Sequence, residues 1–236
     1  MNTADRGRAA ALAAWTATAY GRYVAAWEAG FFVPPATLAS DARVLQLGMP
    51  QWPLLRTWPQ AAHRICQHHA YPADVLAAAD SLPWPDNSFD VVLLPHGADV
   101  YADTVRLLAE TYRVLVPGGC VLLSGLNALG YWRFGARTLS RTLMLHSAGQ
   151  MRHALEEAGF QVNGGRFMAY AAPWQRPAAE AVPRAVEHMG NRWWPHWAAV
   201  YGLTAVKELA GVHPDADLAA ALQKQPELDW AAAVGQ

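Results

Sequence analysis

The sequence predicts an α/β fold, a mostly parallel sheet with helices on both faces. Short apolar runs at Val44–Leu47, Phe89–Leu94 and Cys120–Ser124 alternate with segments whose apolar residues recur every three or four positions. Strands separated by helices need right-handed crossovers, and these cover both faces of a parallel sheet. The 236 residues, 53% hydrophobic and 16% charged, are enough for one large core.

The elements follow in order. Leu12, Trp15, Ala19, Tyr23, Ala26 and Trp27 form one apolar stripe, which predicts an N-terminal helix ending near Gly30 and the Pro34-Pro35 break. Val44 to Leu47 is a buried strand. Pro53 suits the first turn of a short helix reaching Trp58, where its missing N–H is harmless. His63–Gln67 and Val75–Ala79 read as weaker strands, and "FDVVLL" (89–94) as the central one. Val105, Leu108 and Tyr112 mark a helix that stops at Pro117-Gly118-Gly119, a turn into the strand Cys120–Ser124. Ser147 and Gln150 form a capping box for a helix carrying Met151, Ala154, Leu155 and Ala158, closed by Gly159. "FQV" opens another strand, and Ala199 to Lys207 is the last. Three units result: a lid helix region over 1–40, the α/β domain over 41–210 and a tail over 211–236.

Composition narrows the function. A net charge of −1 argues against a broad basic nucleic-acid face. No apolar run approaches transmembrane length, and the start does not read as a secretory leader, so stable membrane insertion is not expected and a cytoplasmic location is. Cys66 and Cys120, both in apolar runs, read as reduced core residues and not as a metal site. The tryptophans, 11 in all, include a late group at Trp193, Trp194 and Trp197. They either fill a core of small alanines or form an aromatic wall for a ligand.

In open parallel sheets, ligands sit at the carboxyl ends of the strands. There the chain reads "ADSLPWPDNSFDVVLLPH" and then "LLAETYRVLVPGGCVLLSGLN", preceded by "RVLQLG". Over Arg43 to Phe160 this resembles the class I S-adenosylmethionine-dependent methyltransferases, in particular the type 11 small-molecule branch. The resemblance implies a Rossmann-like seven-stranded sheet with an antiparallel last strand, S-adenosylmethionine as cofactor, and a small organic or metabolite acceptor. It implies that Gln46, Gly48, Met49, Gln67, Asp80, Ser81, Leu82, Pro95 and His96 bind the cofactor. Asp80 would accept from the adenine amino group, with Ser81 and Leu82 offering backbone groups and an apolar wall. No metal is implied.

The chain departs from the pattern in two places. Gln46 stands where the family usually carries an acid, and "GMPQWP" replaces a glycine-rich turn. Gln67, His68 and His69 stand where the family places an acid for the ribose. Each lost charge-assisted bond costs roughly 1.5–3 kcal/mol. His96 is the one proton-transfer candidate at a strand end, either a catalytic base or a packing residue. Arg133, Arg137 and Arg141, if helical, form one basic stripe, either a solvated face or a clamp for an acidic substrate or anionic membrane surface. Fold analogy places Tyr20, Tyr101 and Trp132 at the acceptor site. A non-catalytic binding or scaffolding module remains the alternative, whereas a nicotinamide enzyme is disfavoured because no G-x-G-x-x-G follows the first strand.

Overall fold

The first strand, β1 (Arg43–Leu47), pairs in parallel with β2 (His63–His68) on one side and β4 (Phe89–Pro95) on the other. β3 (Val75–Leu76) lies beyond β2, and β5 (Leu115–Leu126) beyond β4. β7 (Val200–Lys207) runs antiparallel between β5 and β6 (Phe160–Met168). The order is therefore β3-β2-β1-β4-β5-β7-β6 in one sheet of seven strands. This computed structural model describes residues 2–34, 38–70, 72–173 and 197–208. Trp193, Trp194 and the tail after Gly211 lie outside the described residues.

The continuous apolar runs become the central strands because both their faces are covered. Val44, Leu45, Val92, Leu93, Leu122 and Leu123 are all fully buried. β5 is longer than the sequence suggests. Leu115 already pairs with Phe89, and pairing resumes at Cys120 with Val91, so Pro117-Gly118-Gly119 is an irregularity inside the strand pairing. β3 is conversely cut to two residues. The short segment after Pro53 is a 3₁₀ turn over Leu54–Thr57.

The helices are set by their caps. α4 (Thr104–Val114) begins where the Asp103 carboxylate accepts from the Arg106 N–H at 2.9 Å. α7 (Ala148–Glu157) opens with the expected Ser147–Gln150 capping box. At the N-terminus the single helix expected from the apolar stripe is two. Asn2 caps α1 (Thr3–Thr16), and Thr18, in extended backbone, caps α2 (Ala19–Ala29) by accepting from the Gly21 N–H at 3.0 Å. The stripe shifts at the break: Leu12 and Tyr23 are buried, but Ala19 between them is exposed and Tyr20 is buried in its place. Among the described residues no helix is long and apolar enough to cross a membrane, and no group of metal-ligating side chains assembles. Cys66 and Cys120 are free thiols.

The chain following α2 docks on the sheet through Phe31, whose ring lies flat over Gly202 of β7. A Cβ at Gly202 would stand 2.9 Å from three ring carbons. Both residues are buried, so the ring has no easy escape. Gly202→Ala is therefore expected to destabilise the fold by about 1–3 kcal/mol in urea denaturation. Phe31→Leu in the same background should recover part of that loss. An unchanged midpoint for Gly202→Ala would refute the contact.

Candidate functional site

β1, β2 and β4 end along one edge of the sheet, and there the structure has a cleft of about 230 Å³. Its floor is the turn Gly48–Gln51, the residues His68–Ala70 after β2, and Pro95–Gly97 after β4. α1 lies across it with Arg6, Ala9, Ala10 and Ala13, and Val100 and Tyr101 complete the wall. Val100 ends the short helix α3 (Gly97–Val100). None of these lining residues is acidic.

The turn after β1 is organised by Gln46. Its side chain is buried, and its amide nitrogen lies 3.0 Å from the Gly48 and Met49 carbonyl oxygens and 3.2 Å from that of Trp52. A carboxylate in this place has no proton to donate to those carbonyls. The expected cofactor contact from the Gln46 side chain is thus corrected to an internal one. Gly48 has φ +90°, where other residues are strained, and a Cβ added there would meet only the Pro95 carbonyl at 3.8 Å. That open space beside the backbone is the cradle a close-lying ligand needs. Met49 follows at φ 47°, buried against the core.

Gln67 is likewise turned inward. Its amide oxygen accepts from the Trp84 indole at 2.6 Å and its nitrogen donates to the Ala78 carbonyl at 3.2 Å. The cleft is lined instead by His68 and His69, whose rings lie 3.9 Å apart. His69 Nδ1 is buried without a hydrogen-bond partner, an orphaned polar atom in the wall of the cleft. Burial, with the nearby His68 and Arg6 charges, pushes the His69 pKa down to about 4, so the ring is neutral at pH 7.

Asp80 follows β3 but does not line the cleft directly. It lies close enough to the Tyr101 hydroxyl to help, after burial, raise that phenol to about 12. The Asp80 carbonyl accepts from Arg106 at 2.7 Å. The backbone role expected of Leu82 is corrected: its N–H donates to Glu110 at 2.8 Å and its carbonyl accepts from Arg113 at 3.1 Å. Its side chain is buried, and Ser81 is exposed.

His96 is not a base. Its ring is fully buried, with Nδ1 2.7 Å from Asp99 and Nε2 3.0 Å from Glu28 of α2. Burial alone would push its pKa down, but the two carboxylates outweigh burial and hold it at about 10. An imidazolium donating from both nitrogens has no lone pair for a substrate proton. Asp99 also accepts from the Leu126 N–H at 2.8 Å, and burial raises its pKa. Ser124 donates to Glu28, and Trp52 packs edge-on against the His96 ring at 5.5 Å. The sequence reading missed Glu28, although it is the single acid between Gly7 and Ser40 in an otherwise apolar and basic stretch.

Of the aromatic residues placed at the acceptor site by analogy, only Tyr101 lines the cleft. Tyr20 is buried with its hydroxyl donating to the Ala171 carbonyl at 2.9 Å, and Trp132 is buried with its indole donating to the Asn127 carbonyl at 2.9 Å. The arginine stripe is broken. Arg133 belongs to α5 (Trp132–Gly135), Arg137 and Arg141 to α6 (Arg137–Thr142), and Ala136 between them leaves helical backbone.

Comparison with known proteins gives a consistent picture. Residues 57–123 match the family model of a methyltransferase domain. Over 79 residues the chain is 39% identical to phthiotriol/phenolphthiotriol dimycocerosates methyltransferase 1 of Mycobacterium ulcerans, covering 31% of this chain and 29% of that protein. Over 49 residues it is 45% identical to a ubiquinone/menaquinone biosynthesis C-methyltransferase of Psychromonas ingrahamii, covering 21% of this chain and 20% of that one. The chain thus spans less than a third of the length of these curated relatives. An S-adenosylmethionine-dependent methyltransferase of Thermotoga maritima superposes with a TM-score of 0.59 at 18% identity, over 82% of this chain and 93% of the other. The fold is that of the class I methyltransferases, with the antiparallel strand where the resemblance implied it.

The buried cluster makes a prediction about pH. His96 holds its proton in the folded protein up to about 10, against 6.5 in its ordinary state. Its contribution is therefore fully present below pH 6.5 and is lost as pH rises through 10. Urea denaturation across that window should show stability falling, with a shallower fall in His96→Gln. Removing the cation leaves two buried carboxylates without it, at a cost of about 3–5 kcal/mol near neutral pH. Equal stability of the two proteins at every pH would refute the network.

Proposed function

We propose that the protein transfers the methyl group of S-adenosylmethionine to a small apolar organic acceptor. One observation carries this reading: the stretch matching a methyltransferase domain supplies the β2, β4 and α3 walls of the cleft. The cradle at Gly48 and the orphaned nitrogen of His69 fit a ligand that brings a close-lying chain and hydroxyl groups. In this reading His69 takes the ribose in place of an acid, the adenine extends past Tyr101 to reach Asp80 just beyond the cleft wall, and Pro95 and Gly97 take the amino-acid end. The cofactor supplies a methyl group already activated by its sulfonium, so the chain's task is positioning and exclusion of water. Absence of a base is consistent with that: His96 holds the cleft wall in place and takes no proton. The apolar wall of Val100 and Tyr101 and the names of the quinone and phthiotriol methyltransferases that the chain resembles support an apolar acceptor.

A second reading rests on Gln46 and Gln67. Both amides serve the fold and no carboxylate lines the cleft, which suits a binding module that has lost the cofactor.

Ligand-dependent melting separates the two. A ligand at a hundredfold excess over Kd stabilises by about 2.7 kcal/mol, a rise of roughly 5–10 °C for a domain of this size. S-adenosylhomocysteine should give a saturable rise, at ligand nearer millimolar than micromolar, and NAD none. A flat curve with S-adenosylhomocysteine favours the non-catalytic module. In calorimetric titration, Asp80→Ala should weaken S-adenosylhomocysteine about tenfold or more, since a charge-assisted bond is lost. Its ligand-free melting temperature should stay near that of the wild type. Equal affinities would remove Asp80 from the site.

A further inference from the structure

From Asn127 to Met151 the chain carries three arginines and no acidic residue, while the whole sequence has a net charge of −1; the next arginine, Arg152, is paired with Glu156 on α7. This segment leaves β5 at the same edge of the sheet on which the cleft opens, and α6 packs against α1. Trp132, Leu139, Leu143 and Met151 turn inward, but some of its apolar side chains, and a ring beside it, are turned outward. Leu129 is 60% exposed and Phe134 64%, and Trp197, packed 4.7 Å from Tyr131, is 44% exposed. Tyr131 in turn contacts the Phe134 ring at 6.1 Å. Phe134 and Arg137 line one shallow groove, and Arg133 donates to the Ala128 carbonyl beside Leu129. Exposed rings therefore lie beside Arg133 and Arg137, and Arg141 follows four residues on from Arg137, about one turn along α6. Among the described residues, neither Arg137 nor Arg141 has an acidic partner in an ion pair.

We propose that this surface docks the protein peripherally on an anionic lipid bilayer. Phe134, Leu129 and Trp197 enter the headgroup region, and Arg133, Arg137 and Arg141 meet the lipid phosphates. The two chemistries reinforce each other. Aromatic rings favour the bilayer–water boundary, and arginines near an anionic leaflet add attraction that a neutral leaflet lacks. Isolated exposed apolar residues need no explanation, but a cluster inside a purely basic segment matches a surface that is apolar below and negative above. Neither α5 nor α6 inserts as a helix of its own, since they are 4 and 6 residues long. Docking would place α1, and with it the cleft, beside the bilayer. The inference is independent of what the cleft binds.

Flotation of the full chain with vesicles tests it. Vesicles of mixed phosphatidylglycerol and phosphatidylcholine should carry the protein with them, vesicles of phosphatidylcholine alone should not, and high salt should weaken the binding. The triple variant R133Q/R137Q/R141Q should partition on the order of a hundredfold less onto the anionic vesicles. Phe134→Ser should weaken binding at both low and high salt, because its contribution is not ionic. These side chains are exposed, and unchanged melting curves of the variants would confirm that folding is intact. Equal binding to both vesicle types, no binding to either, or an unaffected triple variant overturns the proposal. So does short RNA or inositol hexaphosphate bound with the same sensitivity to the arginines and indifference to Phe134, which would mark a soluble polyanion site. A vesicle-free dimer that dissociates in Phe134→Ser would assign the surface to a second copy of the chain, and overturns it too.

Discussion

The buried imidazolium of His96 is the interaction on which the rest of the site depends. It joins three stretches that are distant in sequence: α2 through Glu28, the β4–α3 junction through its own backbone and Asp99, and β5 through Ser124 and Leu126. Two carboxylates surround one cation, so the cluster is sustained by further donors: the Ser124 hydroxyl toward Glu28 and the Leu126 N–H toward Asp99. Tyr201, buried nearby, has its phenol pushed well above its ordinary pKa by burial and by those two acids. Such a cluster is weak evidence for net stability; it is also incompletely satisfied, since Asp99 Oδ1 and the Tyr201 hydroxyl are buried without a hydrogen-bond partner among the described residues. What it anchors is the C-terminal end of α2, and α2 packs against α1, which lies over the cleft.

The turn after β1 is coupled to the same cluster through Trp52, whose ring meets His96 edge-on. Here the unusual sequence is consistent with itself. The Gly-Met-Pro-Gln-Trp turn (48–52) directs three carbonyls inward, and Gln46 supplies the N–H groups that an acid lacks. Two hydrogens serve three acceptors, so at least one is shared. Gln67 repeats the arrangement one strand away, accepting from Trp84 and donating to Ala78. In both places the amide ties a loop to its strand.

Much of the fold was legible because its signals are local. Continuous apolar runs buried on both faces name the strands, and Ser147–Gln150 names a helix start by its own chemistry. The antiparallel last strand was legible from its resemblance, not from its residues. What the sequence concealed is non-local. The split between α1 and α2 leaves the spacing of apolar residues in the sequence unbroken, so periodicity alone does not reveal it. His96 sits three residues before Asp99, a pair visible in the sequence, but Glu28 lies 68 residues away and decides the charge. Gln46 and Gln67 stand at the right strand ends for a cofactor, and only the direction of their side chains turns them into scaffolding. Leu82 was misread for a similar reason, since Glu110 and Arg113 on α4 take its backbone.

Two histidines of one cleft wall show how position and partner determine role. His96 has two carboxylates and is held charged to about 10; His69 has none, lies near Arg6, and is driven down to about 4. Between those limits, which enclose neutral pH, neither changes its charge. The wall of the cleft thus presents a fixed cation whose donors are both engaged internally, and a neutral ring with one unengaged nitrogen. A neutral imidazole accepts from a hydroxyl without attracting a cation, as a carboxylate does. On the proposed reading, such a wall suits a hydroxyl-bearing ligand better than a simple cation, and would hold it more weakly than an acid at the end of β2 would. The open space beside Gly48 and that one nitrogen are then what such a ligand would meet, with the His96 cluster packed behind them.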